Sequence, residues 1–251
     1  MTLRNPDREA VTHGHITNEP IRQKPGVPSW VLKLIMAVTG LLFALFVVGH
    51  MAGNLKLYLP ANGGEEALDE YGAFLRSMGE PLFPHEGALW IIRAVLLVAI
   101  IAHIYGAIAL TTRSKASRGK FSRSNLMGGL DSFATKTMLV SGLVLLLFII
   151  FHLLDLTMGV QPIAPGDFVE GAVKANMIAT FSRWPVTIVY VIAMCFLFLH
   201  LTHGIRLAAS DLGITGAKWR QTFLILAYVI PAVVCIGNIV MPLSVALGLV
   251  S

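Results

Sequence analysis

Five long apolar segments dominate the chain, and polar stretches separate them. The segments run over residues 30–51, 87–111, 137–158, 185–208 and 222–247. Each is long enough to cross a hydrocarbon core about 30 Å thick, for which a helix needs about 20 residues. Strands of a membrane barrel would be shorter and would alternate apolar with polar positions, so the pattern predicts helices. The predicted fold is all-α, a transmembrane bundle of five helices.

The polar residues before the first segment stand apart from this bundle. Residues 1–29 are predicted to form a cytoplasmic N-terminal arm, and residues 30–251 a five-helix membrane domain. The arm does not show the order of charged, apolar and small residues that marks a cleaved signal peptide, so we do not expect one.

Composition favours a membrane protein over a soluble one. Hydrophobic residues make up 55% of the 251 residues and charged residues only 13%, and the mean hydropathy is +0.73. The net charge of +5 does not indicate a nucleic-acid partner, because the basic residues bracket apolar segments instead of alternating with aromatic ones. The two cysteines, Cys195 and Cys235, lie inside apolar segments and support neither a disulfide framework nor a CxxC metal site.

Basic residues are distributed unevenly between the two ends of the segments. Most of the 19 Lys and Arg residues lie in the N-terminal arm and in the second and fourth connections. Connections 52–86 and 159–184 carry most of the acidic residues. Because Lys and Arg favour the cytoplasmic side, the N-terminus is predicted to be cytoplasmic and the C-terminus to lie outside.

Four of the five segments contain histidines at positions that would lie inside the membrane. An ionisable side chain is costly there, so these histidines indicate a functional site. At 1.5 Å per residue, His50 and His152 lie in the outer half of the bilayer, and His103 and His200 in the inner half. The two levels are separated by roughly 10–20 Å once helix tilt is allowed for. The first and third helices therefore supply one pair, and the second and fourth supply the other.

Two imidazoles from facing helices are the axial ligands of a low-spin haem that carries electrons. We therefore expect two haems b, with His50, His103, His152 and His200 as the iron ligands. Histidines that only pack, each hydrogen-bonded to a neighbouring helix, are the alternative. Several glycines near the histidines would leave room for a macrocycle or would serve close helix packing: Gly49, Gly53, Gly106, Gly142 and Gly204.

Charged side chains near the ends of the segments are candidates for binding haem carboxylates. Arg93 lies at the outer level of the second helix, and Arg206 follows His200 at the inner level. Each has an alternative role, in which the side chain reaches the lipid headgroups. His203, one turn after His200, is expected to be structural or to bind a propionate.

Short motifs surround the four histidines: GHM at 49–51 with NL at 54–55, HIY at 103–105, FHLLD at 151–155 and HLTHGIR at 200–206. They resemble the single-subunit, five-helix, dihaem cytochrome b that anchors succinate dehydrogenase and fumarate reductase in the membrane. The resemblance extends over nearly the whole chain from about residue 24, and its most specific motif is the last one.

The resemblance implies the same pairing of helices and selects His200, four residues before Gly204, over His203 as a ligand. It further implies a complex in the inner (cytoplasmic) membrane with a flavoprotein that oxidises succinate and an iron–sulfur protein on the cytoplasmic face. The N-terminal arm and the basic loop 113–123 are the expected docking surfaces. No catalytic residue for succinate is expected in this chain, and the complex itself could form a higher oligomer.

In this family electrons would pass from the iron–sulfur protein to the inner haem, then the outer haem, and on to a quinone, expected to be menaquinone. The candidate quinone-binding residues lie at the outer end: Lys56, Tyr58, Glu66 and Asp155. Ser29 and Trp30 near the inner end are an alternative. Phe198 stands where some dihaem fumarate reductases have a glutamate, so the proton path associated with that glutamate is not expected.

Three other functions remain open from the sequence. Two cysteines and two histidines would suffice for a Rieske-type [2Fe–2S] cluster, although Cys195 lies about 140° around the helix from His200. A proton-coupled transporter would show broken helices, for which Pro231 and Pro242 are the only indication. A purely structural anchor without haem is the third.

Overall fold

A computed structural model describes residues 26–60, 66–118 and 130–250, with the backbone alone for residues 118 and 130–136. The predicted N-terminal arm therefore lies outside the described residues except for its last four. The second half of the basic loop 113–123 also lies outside them. Within the described ranges the chain is helical and contains no strand, which confirms the all-α fold class.

Seven helices follow one another along the described chain: α1 Ser29–Asn54, α2 Ala67–Ser77, α3 Gly87–Arg118, α4 Leu130–His152, α5 Val173–Phe181, α6 Trp184–Asp211 and α7 Ala217–Ala246. Of these, α1, α3, α4, α6 and α7 are long and apolar enough to cross a membrane, so the five predicted spans are confirmed. A short 3₁₀ turn, Leu55–Tyr58, extends α1, and a π-helical turn, Leu153–Thr157, extends α4. Helix α7 continues through Pro231 and Pro242, both of which are buried.

Four of the spans pack in the order α3, α1, α6, α4, and the fifth lies against their side. Helix α1 packs on α3 and α6, and α6 packs in turn on α4 and α7. Helices α3 and α4, at the two ends of this order, do not pack closely in the described part of the chain, so the four form an open ring, with α7 outside it against α6 and α1. Two pairs of helices, α1 with α4 and α3 with α6, face each other across the ring without such close packing in the described part of the chain. Space between facing helices is where bundle proteins bind cofactors.

The short helices α2 and α5 cap one end of the bundle, which we call the outer end because the charge distribution predicts that it faces outside. An apolar cluster joins the cap to the bundle: Leu57, Leu68, Met177, Phe181, Tyr190, Met241 and Val245. Asp69 of α2 accepts a hydrogen bond of 2.8 Å from the backbone N–H of Lys174, in the first turn of α5. The ammonium of Lys174 also lies 3.0 Å from Glu66. The two connections of the outer end are thus fastened to each other.

Asp69→Ala is expected to destabilise the cap by about 1 kcal/mol, the usual cost of losing a side chain that satisfies an N–H at a helix start. The measurement is thermal unfolding in detergent, followed by circular dichroism. Glu170→Ala is the control, because Glu170 is an exposed acid in the same outer connection as α5. Equal midpoints for the two variants would contradict this role of Asp69.

Candidate cofactor-binding site

The four histidines at membrane depth face one another in two pairs across the ring. His50 of α1 and His152 of α4 have ring centroids 5.8 Å apart. His103 of α3 and His200 of α6 have ring centroids 6.3 Å apart. These are the combinations expected from residue depth. Each pair joins two helices that do not pack closely together, so the imidazoles bridge the space between facing helices.

The separation within each pair suits one metal ion held between two imidazoles. Metal–imidazole bonds are about 2 Å long, so two such bonds in line place the ring centroids about 6 Å apart. Both observed separations are close to this value. A direct hydrogen bond between the two rings of a pair is not among their described contacts.

The two pairs lie at different depths, and residue spacing gives the distance between them. On α1, Thr39 contacts the inner histidine His103, and His50 follows eleven residues later. Eleven residues correspond to about 16 Å along a helix. On α4, Ser141 contacts the other inner histidine, His200, and His152 again follows eleven residues later. The two levels agree with the expected separation.

At the inner level, hydroxyl groups determine which nitrogen of each imidazole carries its proton. Thr39 Oγ1 donates to the carbonyl oxygen of Ile35 at 2.6 Å and lies 2.9 Å from Nδ1 of His103. Because its single proton is used on the carbonyl, the Thr39 hydroxyl accepts a hydrogen bond from Nδ1–H. The Nε2 atom of His103 therefore keeps its lone pair for a metal, as second-shell partners of metal-bound histidines ensure.

His200 has the same arrangement on the opposite side of the inner level. Ser141 Oγ donates to the carbonyl oxygen of Met138 at 3.0 Å and lies 3.1 Å from Nδ1 of His200. Ser141 is almost fully buried, with 1% of its surface exposed, so water does not replace this contact. The Nε2 atom of His200 is again left as a metal ligand.

A glycine follows each of these hydroxyl residues. A Cβ atom added to Gly40 would lie 3.5 Å from Cε1 of His103, and one added to Gly142 would lie 3.5 Å from Cε1 of His200. Both glycines therefore leave open the space beside an inner imidazole, which a flat macrocycle around the metal would need. A hydroxyl and a glycine in succession thus flank each inner histidine.

The outer level holds His152 by a longer chain of hydrogen bonds. The hydroxyl of Tyr190 donates to Asp155 Oδ2 at 3.1 Å and lies 3.2 Å from Nδ1 of His152. By the same reasoning, the Tyr190 oxygen accepts from Nδ1–H and leaves Nε2 of His152 as a metal ligand. His50 has a different neighbour, since its ring stacks on Phe46 with centroids 5.5 Å apart.

The carboxylate at the end of this chain is fully buried and has several partners. Arg183 Nη2 donates to Asp155 Oδ1 at 2.5 Å, and Thr180 donates to the same oxygen at 3.4 Å. The guanidinium is held in turn by the carbonyl oxygen of Ile163, 2.7 Å from Nη1. A buried charge is tolerated when it is paired and hydrogen-bonded in this way.

The predicted propionate-binding residues lie on α3 and α6. Arg93 is 3.5 Å from Glu86, and its guanidinium lies over the ring of Trp90, 4.8 Å from the centroid. These contacts direct Arg93 toward the outer connection. His203 and Arg206 follow His200 on α6 and are partly buried.

The four candidate quinone-binding residues do not form one cluster in the described structure. Three contact neighbours in or next to the outer cap: Lys56 lies over Tyr71, Tyr58 hydrogen-bonds Ser244, and Glu66 pairs with Lys174. The fourth, Asp155, lies below the cap and belongs to the hydrogen-bond chain of His152. Of these four candidates, Asp155 is therefore the one that the described hydrogen bonds link to a histidine pair.

Thr39, Ser141, Tyr190 and Arg183 contribute to the site but were not among the residues expected from sequence. The spacing along the sequence could have indicated two of them, because Thr39 and Ser141 each precede an outer histidine by eleven residues. Eleven residues make about three turns and return to the same helix face. Tyr190 and Arg183 gave no such signal, since their partners lie on other parts of the chain.

The cysteines do not join the histidines in a metal site. Cys235 is buried and its thiol donates to the carbonyl oxygen of Met194 at 3.2 Å. The described residues contain no group of three or more His, Cys, Asp or Glu side chains that could hold a metal ion. This arrangement does not support the Rieske-type cluster, which needs four such ligands together.

Comparison with known families places this geometry in context. Residues 116–237 match the family of the succinate dehydrogenase/fumarate reductase transmembrane subunit. The match includes α5, α6 and the described part of α4, and with them His152 and His200, whereas His50 and His103 precede it. No curated protein and no solved structure matches the chain.

The family match favours a respiratory membrane subunit over the transporter alternative, and it confirms the resemblance carried by the histidine motifs. Five helices that could cross a membrane, in one chain, fit such a subunit. The chain is therefore a multi-pass membrane protein that matches the succinate dehydrogenase/fumarate reductase transmembrane subunit family over residues 116–237, and it fits the membrane anchor of a respiratory complex II.

Proposed function

We propose that the chain is the cytochrome b anchor of a succinate:quinone oxidoreductase and carries electrons from an iron–sulfur subunit to a quinone. In this proposal His50 and His152 hold one haem b, and His103 and His200 hold a second. The observation that carries it is the pair of facing imidazoles at each of two depths. Three of the four have Nδ1 bonded to a hydroxyl oxygen.

The residues of the chain prepare these positions for a haem. When bound, a haem held by two imidazoles would supply reversible one-electron chemistry at iron. Thr39, Ser141 and Tyr190 hold the imidazoles so that Nε2 is the metal-binding atom. Gly40 and Gly142 leave space beside the inner pair.

The oxidation of succinate would take place in a flavoprotein partner, and an iron–sulfur partner would dock on the inner end of the bundle in the inner membrane. Basic side chains at that end support this role. Arg113 donates to Ser29 at 3.1 Å, and Lys33 pairs with Asp211 at 3.2 Å while remaining about half exposed. Both cations are fixed near the surface that would meet the partner.

We further propose that the quinone binds at the outer end. A surface cavity of about 650 Å³, open to the outside, lies there, with Asp167, Ile178, Ser182 and Arg183 among its lining residues. Arg183 connects this cavity to Asp155, the one candidate that is hydrogen-bonded toward His152. Lys56, Tyr58 and Glu66 would then shape the neighbouring cap.

The test is to purify the chain with whatever subunits accompany it and to measure haem per polypeptide. We expect two haems b per chain, a sharp alpha band on reduction, and two co-purifying soluble subunits with succinate:quinone reductase activity. A complex that reduces quinone without haem would instead support the structural anchor. Colourless protein that purifies alone would contradict the proposal.

A further inference from the structure

The hydrogen-bond chains behind the histidines differ between the two levels. At the inner level, the hydroxyls of Thr39 and Ser141 donate hydrogen bonds to backbone carbonyls, which are neutral. At the outer level, the hydroxyl of Tyr190 donates a hydrogen bond to the carboxylate of Asp155. Within the described contacts, His152 is the one histidine of the four whose chain ends on a charged side chain.

The position of Asp155 makes this difference effective. The side chain is fully buried, at 0% exposure, so solvent screens its charge poorly, and the cation that pairs with it, Arg183, lies on the carboxylate oxygen Oδ1. Arg183 and Thr180 fix one carboxylate oxygen, and Tyr190 occupies the other. Asp155 is therefore oriented toward Tyr190 and has no other described hydrogen-bond donor on that oxygen.

A carboxylate behind a metal-bound histidine makes the imidazole a stronger donor to the metal. Hydrogen bonds in sequence polarise one another, so the effect passes through the intervening Tyr190 hydroxyl. A more strongly donating axial ligand stabilises the oxidised iron, and hydrogen bonding around the ligands is one of the means by which a protein sets a haem potential. The chain thus favours a lower potential at the outer level.

We propose that Tyr190 is a positioning residue that transmits the charge of Asp155 to His152 and so lowers the midpoint potential of the outer haem. This inference rests on the haem ligation proposed above. The inner pair, with its neutral hydroxyl partners, does not receive this contribution. Arg183 holds Asp155 in place and so couples the chain to the outer-end cavity.

The experiment is a spectroelectrochemical titration of the intact complex with Tyr190→Phe and Asp155→Asn. Both variants are expected to raise the midpoint potential of the outer haem and to leave that of the inner haem unchanged. We expect at least a tenfold change in the oxidised-to-reduced ratio at a fixed potential, which is about 59 mV for one electron. The potential that remains in a His103→Ala complex identifies the outer haem.

Two matched variants separate this effect from a general disturbance. Thr187 lies three residues before Tyr190 on α6, and its buried hydroxyl donates to the carbonyl oxygen of Phe181. Thr187→Val removes this hydroxyl and should leave both potentials unchanged. Ser141→Ala should move the inner potential alone. A low-spin spectrum in each variant shows that both axial ligands are kept.

The outcomes distinguish this proposal from the function on which it rests. Wild-type complex without haem would overturn both. Two haems with an unchanged outer potential in Tyr190→Phe would overturn the transmitted charge while leaving the ligation intact. An equal shift in Thr187→Val would also overturn it, because that hydroxyl does not contact His152 in the described structure.

Discussion

His103→Ala is expected to lower the haem content of the complex from two per chain to one and to reduce quinone-reductase activity by at least 100-fold. His103 and His200 face each other, and Nδ1 of each contacts a hydroxyl group, so under the proposed ligation the loss of one imidazole leaves an iron with a single protein ligand. In the proposed arrangement, the chain would also lose its inner haem, and the iron–sulfur partner would then be separated from the outer level. Pyridine haemochrome assay and steady-state kinetics give the two readouts.

His85→Ala is the matched control for that substitution. His85 lies in an outer connection, two-thirds exposed, and hydrogen-bonds Glu80 at 2.9 Å. The His85→Ala complex should keep both haems and full activity. His103→Gln retains a polar side chain of similar reach without the imidazole, so a packing role for His103 would tolerate it and a ligand role would not. Two haems in His103→Gln would contradict the ligand assignment.

Local properties of the sequence were sufficient to predict the membrane helices and the histidine depths. Whether a helix crosses a bilayer depends on a run of about 20 apolar residues, which is visible in one segment at a time. Depth follows from a constant rise per residue and from the alternating direction of successive spans. His152 and His200 could therefore be assigned to different levels before their neighbours were known.

The outer cap could not be predicted in this way. Helices α2 and α5 are too short to show a membrane pattern, and the sequence predicts both stretches only as connections between spans. Leu68 of α2 is buried, at 2% exposure, by contact with residues such as Met177 that are far away in sequence. Burial of this kind depends on tertiary packing, and intrinsic helix propensity is a weak guide to it.

The hydroxyl groups that contact the imidazoles could not be predicted from the sequence pattern either, for a geometric reason. Thr39 lies on the same face of α1 as His50, but it serves His103 on the neighbouring helix α3. The spacing along one helix therefore indicates a shared face without identifying the histidine that is contacted. Only the order of helices around the ring assigns each hydroxyl to its imidazole.

Arg183→Met is expected to destabilise the folded bundle by about 1–3 kcal/mol, the usual cost of leaving a buried polar group without its partner; the Arg183 side chain is 30% exposed, so the loss should be smaller than for a fully buried ion pair. The substitution keeps an apolar stem of similar length but leaves the carboxylate of Asp155 buried without its cation. Arg183 also donates to the carbonyl oxygens of Ile163 and Thr180, so the outer connection would lose two further hydrogen bonds. Unfolding by denaturant in mixed micelles measures the change.

The double variant Arg183→Met with Asp155→Asn separates the charge from the packing. Because it removes both charges, it should recover a large part of the stability lost in Arg183→Met, and the non-additive part is the coupling between the two residues. Lys33→Met is the control for an exposed pair, since Lys33 is about half exposed beside Asp211 and such pairs contribute about 0–1 kcal/mol. Equal losses in Arg183→Met and Lys33→Met would show that Asp155 is not held as a buried carboxylate. The same result would remove the charge on which the proposed lower potential of an outer haem depends.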